Sequence, residues 1–180
     1  MGLIKKDRAK DKTKKLVIAP PLAVDSGDNA SGELPDDFWD IDEPAVLGLF
    51  VGHYYELSID TFFNASHTLV LKGRKGGYHT HSYRLSVRCK SKSISGQEQI
   101  IVDFTTLRAR VNKVAQAYHN KDLNELPPFR QLKATTENLT VVLFQQLRHA
   151  LVGLPVELTS ITLWESPTVS ITLKKDDLSL

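Results

Sequence analysis

The hydrophobic and polar positions of this chain become regular only after about residue 47. Aromatic and β-branched residues are concentrated in residues 53–63, and apolar residues alternate with polar ones throughout residues 82–90. An alternation with a period of two is typical of a strand that buries one face. The pattern therefore predicts two half-buried antiparallel strands.

Two later segments have the spacing of amphipathic helices. Apolar residues recur every three or four positions in residues 107–118, and either Asp103 or Thr105 can cap the start of that helix. A second helix is predicted to begin at Thr135-Thr136, and a short segment with Gly and Pro ends it. Each predicted helix has one apolar face, so each is expected to lie against a sheet.

Two further strands are predicted after the second helix. They occupy residues 156–164 and 169–173, and a turn with Pro167 joins them. The predicted order is ββααββ, which indicates an α+β fold with a four-stranded antiparallel sheet and both helices on one face. The other face of the sheet is then free to pack on a partner.

The first 46 residues differ in composition from the rest of the chain. Residues 1–15 carry seven basic and two acidic side chains, whereas residues 16–46 carry eight acidic side chains, no basic one and four prolines. Such segments bury too little apolar surface to fold alone, and short charged tails are usually only solvated. We expect a disordered charged extension over residues 1–46, a folded domain over residues 47–180, and no nucleic-acid partner.

The overall composition is that of an ordinary globular protein. Of the 180 residues, 41% are hydrophobic and 24% are charged. No apolar run approaches the roughly 20 residues that span a bilayer. The single cysteine, Cys89, cannot form an internal disulfide, which suits a reducing compartment. We therefore expect a cytoplasmic protein that does not enter a membrane.

The strongest chemical signal is the tripeptide His79-Thr80-His81. Residues two apart on a strand point to one face, so the two imidazoles should lie side by side. If the glycine-containing segment 68–78 folds back, His67 joins them, and three imidazoles suit Zn²⁺ with a fourth position left open. From the spacing alone, strand histidines that are merely packed or solvated are the commoner case.

Six short motifs extend this signal over about residues 51–173. They read FNASH at 63–67, HTHSY at 79–83, VDF at 102–104, DLN at 122–124, TTEN at 135–138 and LWES at 163–166. With these motifs the chain resembles the 6-pyruvoyl-tetrahydropterin synthase and 6-carboxytetrahydropterin synthase family. The resemblance implies the tunnelling fold (T-fold) and a zinc ion held by His67, His79 and His81.

The resemblance also implies a pterin site and a substrate. It places Glu165 at the pterin ring, with help from Thr136 and Glu137. A carboxylate can accept two charge-assisted hydrogen bonds from a 2-amino-4-oxo ring edge. Without the resemblance, Glu165 would be interpreted as an exposed hairpin residue. The implied substrate is 7,8-dihydroneopterin triphosphate, which loses triphosphate on the way to a tetrahydrobiopterin-like or queuosine-type product.

The chain departs from the family at both positions that supply proton transfer. Members normally have a cysteine, or in one branch a glutamate, just before the His-x-His ligands, but residues 68–78 contain neither, and Gly73 or Lys75 stands near that position. Members also have an Asp-His pair before Leu-Asn, where this chain offers only His119. We predict His119 as the proton-transfer group; a helix-end histidine bonded to C-terminal carbonyls is the alternative.

Three functions follow from these observations. The leading one is a zinc-dependent lyase with altered base chemistry. A paralogue that binds zinc and a pterin but has lost or changed the reaction comes close behind, because the cysteine is missing. A scaffold protein on the same fold comes third, since the three histidines and Glu165 are retained. The uncovered sheet face and the resemblance together indicate a homotrimer or hexamer.

Overall fold

The computed structural model describes residues 54–92, 94 and 99–175, all within a unit that spans Asp42–Leu180. The domain boundary predicted between residues 46 and 47 lies outside the described residues. Seven strands are found in the described part: β1 (Tyr55–His67), β2 (Val70–Leu71), β3 (Arg74–Lys75), β4 (His79–Ser91), β5 (Lys121–Asp122), β6 (Glu157–Ser166) and β7 (Val169–Lys174).

Two antiparallel strands of 13 residues each, β1 and β4, form the centre of the main sheet. They pair without interruption from Tyr55 opposite Ser91 to His67 opposite His79. Along β1, buried and solvent-facing side chains alternate as the sequence pattern predicts. Both strands extend beyond the predicted limits, so the histidines of interest belong to the strands themselves.

The main sheet has five strands in the order β5-β1-β4-β6-β7, not the four that were predicted. The additional strand, β5, has only two residues and pairs in parallel with Ala65 and Ser66 of β1. Asn120 precedes it with a left-handed φ of 56°, and its N–H donates to the carbonyl of Asn64 at 2.7 Å. Two residues are too few to show alternation, so the sequence pattern gave no sign of this strand.

The segment between β1 and β4 folds back, as the metal prediction requires. Instead of an open loop, it contains the small hairpin of β2 and β3. Its turn uses Lys72 and Gly73, both with positive φ, which fits a two-residue hairpin turn of the primed type. The N–H of Gly76 then donates to the carbonyl of Leu69 at 2.8 Å and closes the base of the hairpin.

The two helices, α1 (Phe104–Gln116) and α2 (Thr136–Ala150), agree with the predicted order. Asp103 caps α1 by accepting from the backbone N–H groups of Thr105 and Thr106, and Thr135 caps α2. Short 3₁₀ helices at Leu123–Glu125 and Pro127–Arg130 connect β5 to α2. Both α-helices pack on the buried face of the sheet, which confirms the predicted α+β arrangement.

The core lies between the helices and that buried face. Each fully buried Leu, Ile or Phe contributes about 1.5–3 kcal/mol relative to an exposed position. The completely buried apolar side chains include Leu85, Val87, Leu107, Val111, Leu139, Leu143, Phe144, Ile161 and Leu163.

The opposite face of the sheet is polar. Cross-strand ion pairs join Arg84 to Asp60 and Arg88 to Glu56, each at 2.6 Å. The exposed ring of Phe62 lies among them. No described element covers this face, and within the described ranges no helix is long and apolar enough to span a membrane.

Candidate metal centre

Three histidines meet where β1 ends and β4 begins. His67, the last residue of β1, pairs with His79, the first residue of β4, and His81 follows two residues later. The alternation of a strand turns these side chains toward the buried face. Thr80 points to the opposite face, where its hydroxyl oxygen lies 2.7 Å from that of Ser66. The predicted convergence of the three rings is therefore present, and Thr80 leaves it uncrowded.

The three Nε2 atoms point at one another. The Nε2 of His67 lies 2.9 Å from that of His79 and 3.2 Å from that of His81, and one ligand atom from each residue lies within 4.8 Å of the others. A zinc–nitrogen bond of about 2.0–2.1 Å in tetrahedral geometry separates donor atoms by about 3.3–3.4 Å. His67 is 1% exposed, whereas His79 is open to solvent. The cluster thus has ligand-like spacing and an open side.

Backbone carbonyls fix the tautomers of two of these rings. The Nδ1 of His67 lies 2.5 Å from the carbonyl oxygen of Ala134, and the Nδ1 of His79 lies 2.8 Å from that of Gly77. A carbonyl oxygen can only accept, so each Nδ1 carries the hydrogen and each neutral ring presents a lone pair at Nε2. Two lone pairs 2.9 Å apart repel unless a cation lies between them. The donor set therefore fits a metal ion such as zinc.

The electrostatic environment of His81 favours its neutral form. Burial lowers the pKa of His81, and the neighbouring rings of His67 and His79 lower it further, while the carboxylate of Glu165 opposes both effects. An imidazole must be unprotonated at the ligating nitrogen to bind a metal. The lowered pKa favours this form at neutral pH.

Glu165 faces the histidine cluster from β6. Its Oε1 lies 3.3 Å from the Nε2 of His81 and 3.9 Å from that of His67, and the Glu165 side chain is 27% exposed. The pairing of β6 with β7 shifts register between Trp164 and Ser166, at Glu165 itself. Such irregularities redirect a side chain near functional sites. Glu165 is thus part of the centre and not an exposed hairpin residue.

The other two predicted pterin residues differ in their placement. Thr136 is buried at the start of α2, two residues after Ala134, whose carbonyl holds His67. Glu137 is exposed, and among the described residues no hydrogen bond or ion pair joins it to the histidines. The structure therefore places Thr136 at the buried start of α2, near the residue that bonds to His67, but leaves Glu137 at the surface.

Tyr83 is a residue of this centre that sequence reasoning treated only as part of a motif. Its side chain is completely buried, and the centroid of its ring lies 5.2 Å from that of Phe63, on which it stacks. Burial raises the pKa of Tyr83, and the negative charge of Glu165 raises it further. A side-chain contact with Thr136 partly offsets this rise, and the hydroxyl stays protonated at neutral pH.

Asn124 holds the end of β1 in place. Its side-chain oxygen accepts from the N–H of Thr68 at 2.8 Å, and its side-chain nitrogen donates to the carbonyl of Thr68 at 3.0 Å. Thr68 directly follows His67, so this pair of bonds fixes the backbone beside the most buried ligand. The motif at residues 122–124 was visible in the sequence, but the bonding partner was not.

His119 bonds to β1 and, within the described part of the chain, not to the histidine cluster. It follows α1 at the edge of the sheet, where its Nδ1 accepts a hydrogen bond from the N–H of Asn64 at 3.2 Å. In the neutral ring the hydrogen is then on Nε2. Within the described part of the chain, no hydrogen bond links His119 to His67, His79 or His81. The ring therefore bonds to β1 and not to the carbonyls at the end of α1.

Cys89 takes no part in the centre. It is buried in β4, ten residues beyond His79, and burial raises the pKa of its thiol to about 11. A thiol with this pKa is almost entirely protonated at neutral pH and is a poor nucleophile.

The five-stranded sheet, the two helices on one face and the three converging imidazoles define a T-fold protein with a candidate metal site. A family model described as 6-pyruvoyl tetrahydropterin synthase matches residues 56–176. The chain therefore belongs to the 6-pyruvoyl tetrahydropterin synthase family, as the motifs indicated.

Solved structures of the same name share the fold. The 6-pyruvoyl tetrahydropterin synthase of Caenorhabditis elegans matches with a TM-score of 0.60 and 18% identity, covering 68% of this chain and 96% of that one. The Plasmodium vivax enzyme matches with a TM-score of 0.55 and 21% identity, over 67% of this chain and 97% of that one. No curated protein matches the sequence significantly. Identities this low show the fold alone.

Proposed function

We propose that the chain is a cytoplasmic zinc-dependent lyase that acts on 7,8-dihydroneopterin triphosphate and eliminates triphosphate to form a 6-substituted tetrahydropterin. The observation that carries the proposal is the convergence of His67, His79 and His81, with the Glu165 carboxylate 3.3 Å from the nearest ligand nitrogen. A metal-type donor set and a carboxylate thus lie side by side. Membership of the family supplies the reaction class.

Each residue of the proposed site has a distinct role. His67, His79 and His81 would hold zinc, which when bound supplies Lewis-acid polarisation of side-chain oxygens. Glu165 would accept two hydrogen bonds from the 2-amino-4-oxo edge of the pterin. Thr136 would line the ring site. Glu137, in the first turn of α2, would help to bind the pterin.

His119 remains the proposed proton-transfer group. Because its Nδ1 accepts from the backbone of Asn64, its neutral ring offers a hydrogen at Nε2. In this tautomer Nε2 donates a hydrogen bond, and His119 can take up a proton there only when the bond to Asn64 is released and the ring hydrogen moves to Nδ1. A general acid or base of this kind contributes about 10²–10⁴-fold to a rate.

A second candidate function is a zinc- and pterin-binding paralogue that lacks the reaction. The P. vivax enzyme is described with a glutamate as a catalytic residue. Residues 68–78 of this chain contain no glutamate and no cysteine. This observation favours binding without turnover.

The two functions are separated by one experiment. Purified zinc-loaded protein is given 7,8-dihydroneopterin triphosphate, and both the release of triphosphate and the pterin product are followed. The His79→Ala variant is the control for metal-dependent turnover. Triphosphate release by the wild type alone supports the lyase. Tight binding of the pterin without release supports the paralogue and excludes the lyase.

We further propose that the protein forms a homotrimer or a hexamer. In the described part of the chain, β7 pairs only with β6 and leaves its outer edge open, and the polar sheet face is uncovered. Open strand edges are readily paired by another copy of the same strand set. The family resemblance supports closed rings of three subunits.

A further inference from the structure

We propose that Glu165 is a fourth protein ligand of the metal while no pterin is bound, and that it leaves the metal when it binds the ring. This inference rests on the proposed function, because it takes His67, His79 and His81 as the metal site. It gives Glu165 a second role, that of closing the open coordination position until a ring occupies the pocket.

The spacing of the donor atoms supports direct ligation. Oε1 of Glu165 lies 3.3 Å from Nε2 of His81 and 3.9 Å from Nε2 of His67. Two donors bound to one tetrahedral zinc ion are about 3.3–3.4 Å apart. The first distance already has this value. The second exceeds it by a few tenths of an ångström, which a small rotation of the carboxylate removes.

The tautomers of the histidines also support ligation by Glu165, on electrostatic grounds. The Nδ1 hydrogen of His67 is engaged by the carbonyl of Ala134, so its Nε2 has no hydrogen to offer Glu165. A carboxylate oxygen and a nitrogen lone pair that face each other in a half-buried pocket repel. A cation between them turns both contacts into attractions, and it also relieves the contact between His67 and His79.

The backbone at Glu165 departs from regular strand pairing. Trp164 is paired on both sides, with Arg84 of β4 and with Ser170 of β7, whereas the register shift between Trp164 and Ser166 falls on Glu165. This irregularity would let the carboxylate turn between the metal and a bound ring.

The carboxylate of Glu165 has only two oxygens, so it exchanges the metal for the ring. The ring edge engages both carboxylate oxygens at once, so Glu165 cannot bind the ring and the metal together with full strength. Ring binding would therefore open one position on the metal at the moment when substrate is present. Recognition of the pterin and exposure of the metal become one event.

Cobalt-substituted protein tests the ligation directly, because the visible bands of Co²⁺ report its ligand set. We compare the wild type with Glu165→Gln, and we use Glu157→Gln as the matched control. Glu157 lies at the other end of β6, where it forms surface ion pairs with Lys90 and Lys175. The cobalt bands should shift in Glu165→Gln only, and its zinc affinity in a chelator competition should fall by about tenfold or more.

The outcomes distinguish this inference from the proposed function. Identical cobalt bands and zinc affinity in the wild type and Glu165→Gln would overturn ligation by Glu165 while leaving the three-histidine site intact. A wild type that binds neither cobalt nor zinc would overturn both proposals. Saturating 6-methylpterin, with binding followed by ring fluorescence, should shift the wild-type cobalt bands; unchanged bands would overturn the exchange.

Discussion

Replacing His67 with alanine and replacing His79 with alanine should affect the free energy of unfolding differently. Both belong to the candidate metal centre, yet only His67 is also part of the core. His67 is 1% exposed and bonds to Ala134, which lies 67 residues away in sequence. His79 is exposed and bonds to Gly77, only two residues away. The two variants therefore separate the metal role from the structural role.

The magnitudes follow from these contacts. His67→Ala leaves the carbonyl of the fully buried Ala134 without its partner, which costs about 1–3 kcal/mol, and removes a buried ring, which costs about 2–5 kcal/mol in comparable large-to-small replacements. We expect a loss of about 3–5 kcal/mol in the free energy of unfolding without any metal. His79→Ala removes an exposed side chain and should cost less than about 1 kcal/mol.

Urea unfolding in a chelator, and again in zinc, measures both effects. At a free zinc concentration about 100 times the Kd, the wild type should gain about 2.7 kcal/mol, and neither variant should gain a comparable amount. His149→Ala is the control, because His149 is an exposed histidine of α2 outside the centre. If His67→Ala proves too unstable to purify, His67→Gln keeps a donor near Ala134 and should still lose the response to zinc.

Two results would refute this reasoning. Equal destabilisation of His67→Ala and His79→Ala in the chelator would show that the bond to Ala134 does not contribute to the core. Full stabilisation of His79→Ala by zinc would remove His79 from the ligand set.

Four further outcomes are expected. His119→Ala should lose about 10²-fold or more in turnover while it retains zinc and pterin binding; unchanged turnover would exclude His119 from the reaction. Asn124→Ala should weaken zinc binding about tenfold by loosening the backbone at Thr68, which chelator competition measures, and wild-type affinity would contradict the clamp. Hydrogen bonds from Thr106 and Thr105 lower the pKa of Asp103 in the folded protein, so the charged carboxylate stabilises the fold at pH values above its unfolded pKa, and this stabilisation is lost as pH falls through its folded pKa. The melting temperature of Asp103→Asn should therefore lie below that of the wild type at pH 6, and the difference should shrink by pH 2. A difference that stays constant would contradict this. Light scattering at micromolar concentration should give three or six times the chain mass of 20.1 kDa, and a monomer would refute the assembly.

Local sequence patterns were sufficient for much of the fold. The alternation within β4 and the apolar spacing of α1 extend over many residues, so each periodic signal is strong. The caps at Asp103 and Thr135 depend only on residues within three positions. The placement of His79 and His81 on one face follows from the geometry of a single strand. Features set by short sequence distances were therefore predictable.

Features set by distant contacts were not. β5 forms where the left-handed backbone of Asn120 brings its N–H to the carbonyl of Asn64. The sequence around either residue contains no signal for this contact. The carbonyl of Ala134 that orients His67 belongs to backbone, which carries no residue signature. The register shift at Glu165 depends on how β6 meets β7. Each of these is a consequence of tertiary packing.

The proposed binding part and the proposed proton-transfer part of the site lie on different segments of the chain. The proposed binding part consists of side chains on β1, β4 and β6, and backbone carbonyls orient the rings of His67 and His79. The proton-transfer part would come from residues 68–78, which offer no thiol or carboxylate, and from His119, whose ring is bonded to the backbone of Asn64 at the sheet edge. In the proposed trimer or hexamer, a group at a sheet edge would face a second copy of the chain. Turnover, where it is found, should therefore depend on the assembled oligomer, whereas zinc binding by the three histidines requires only the single chain.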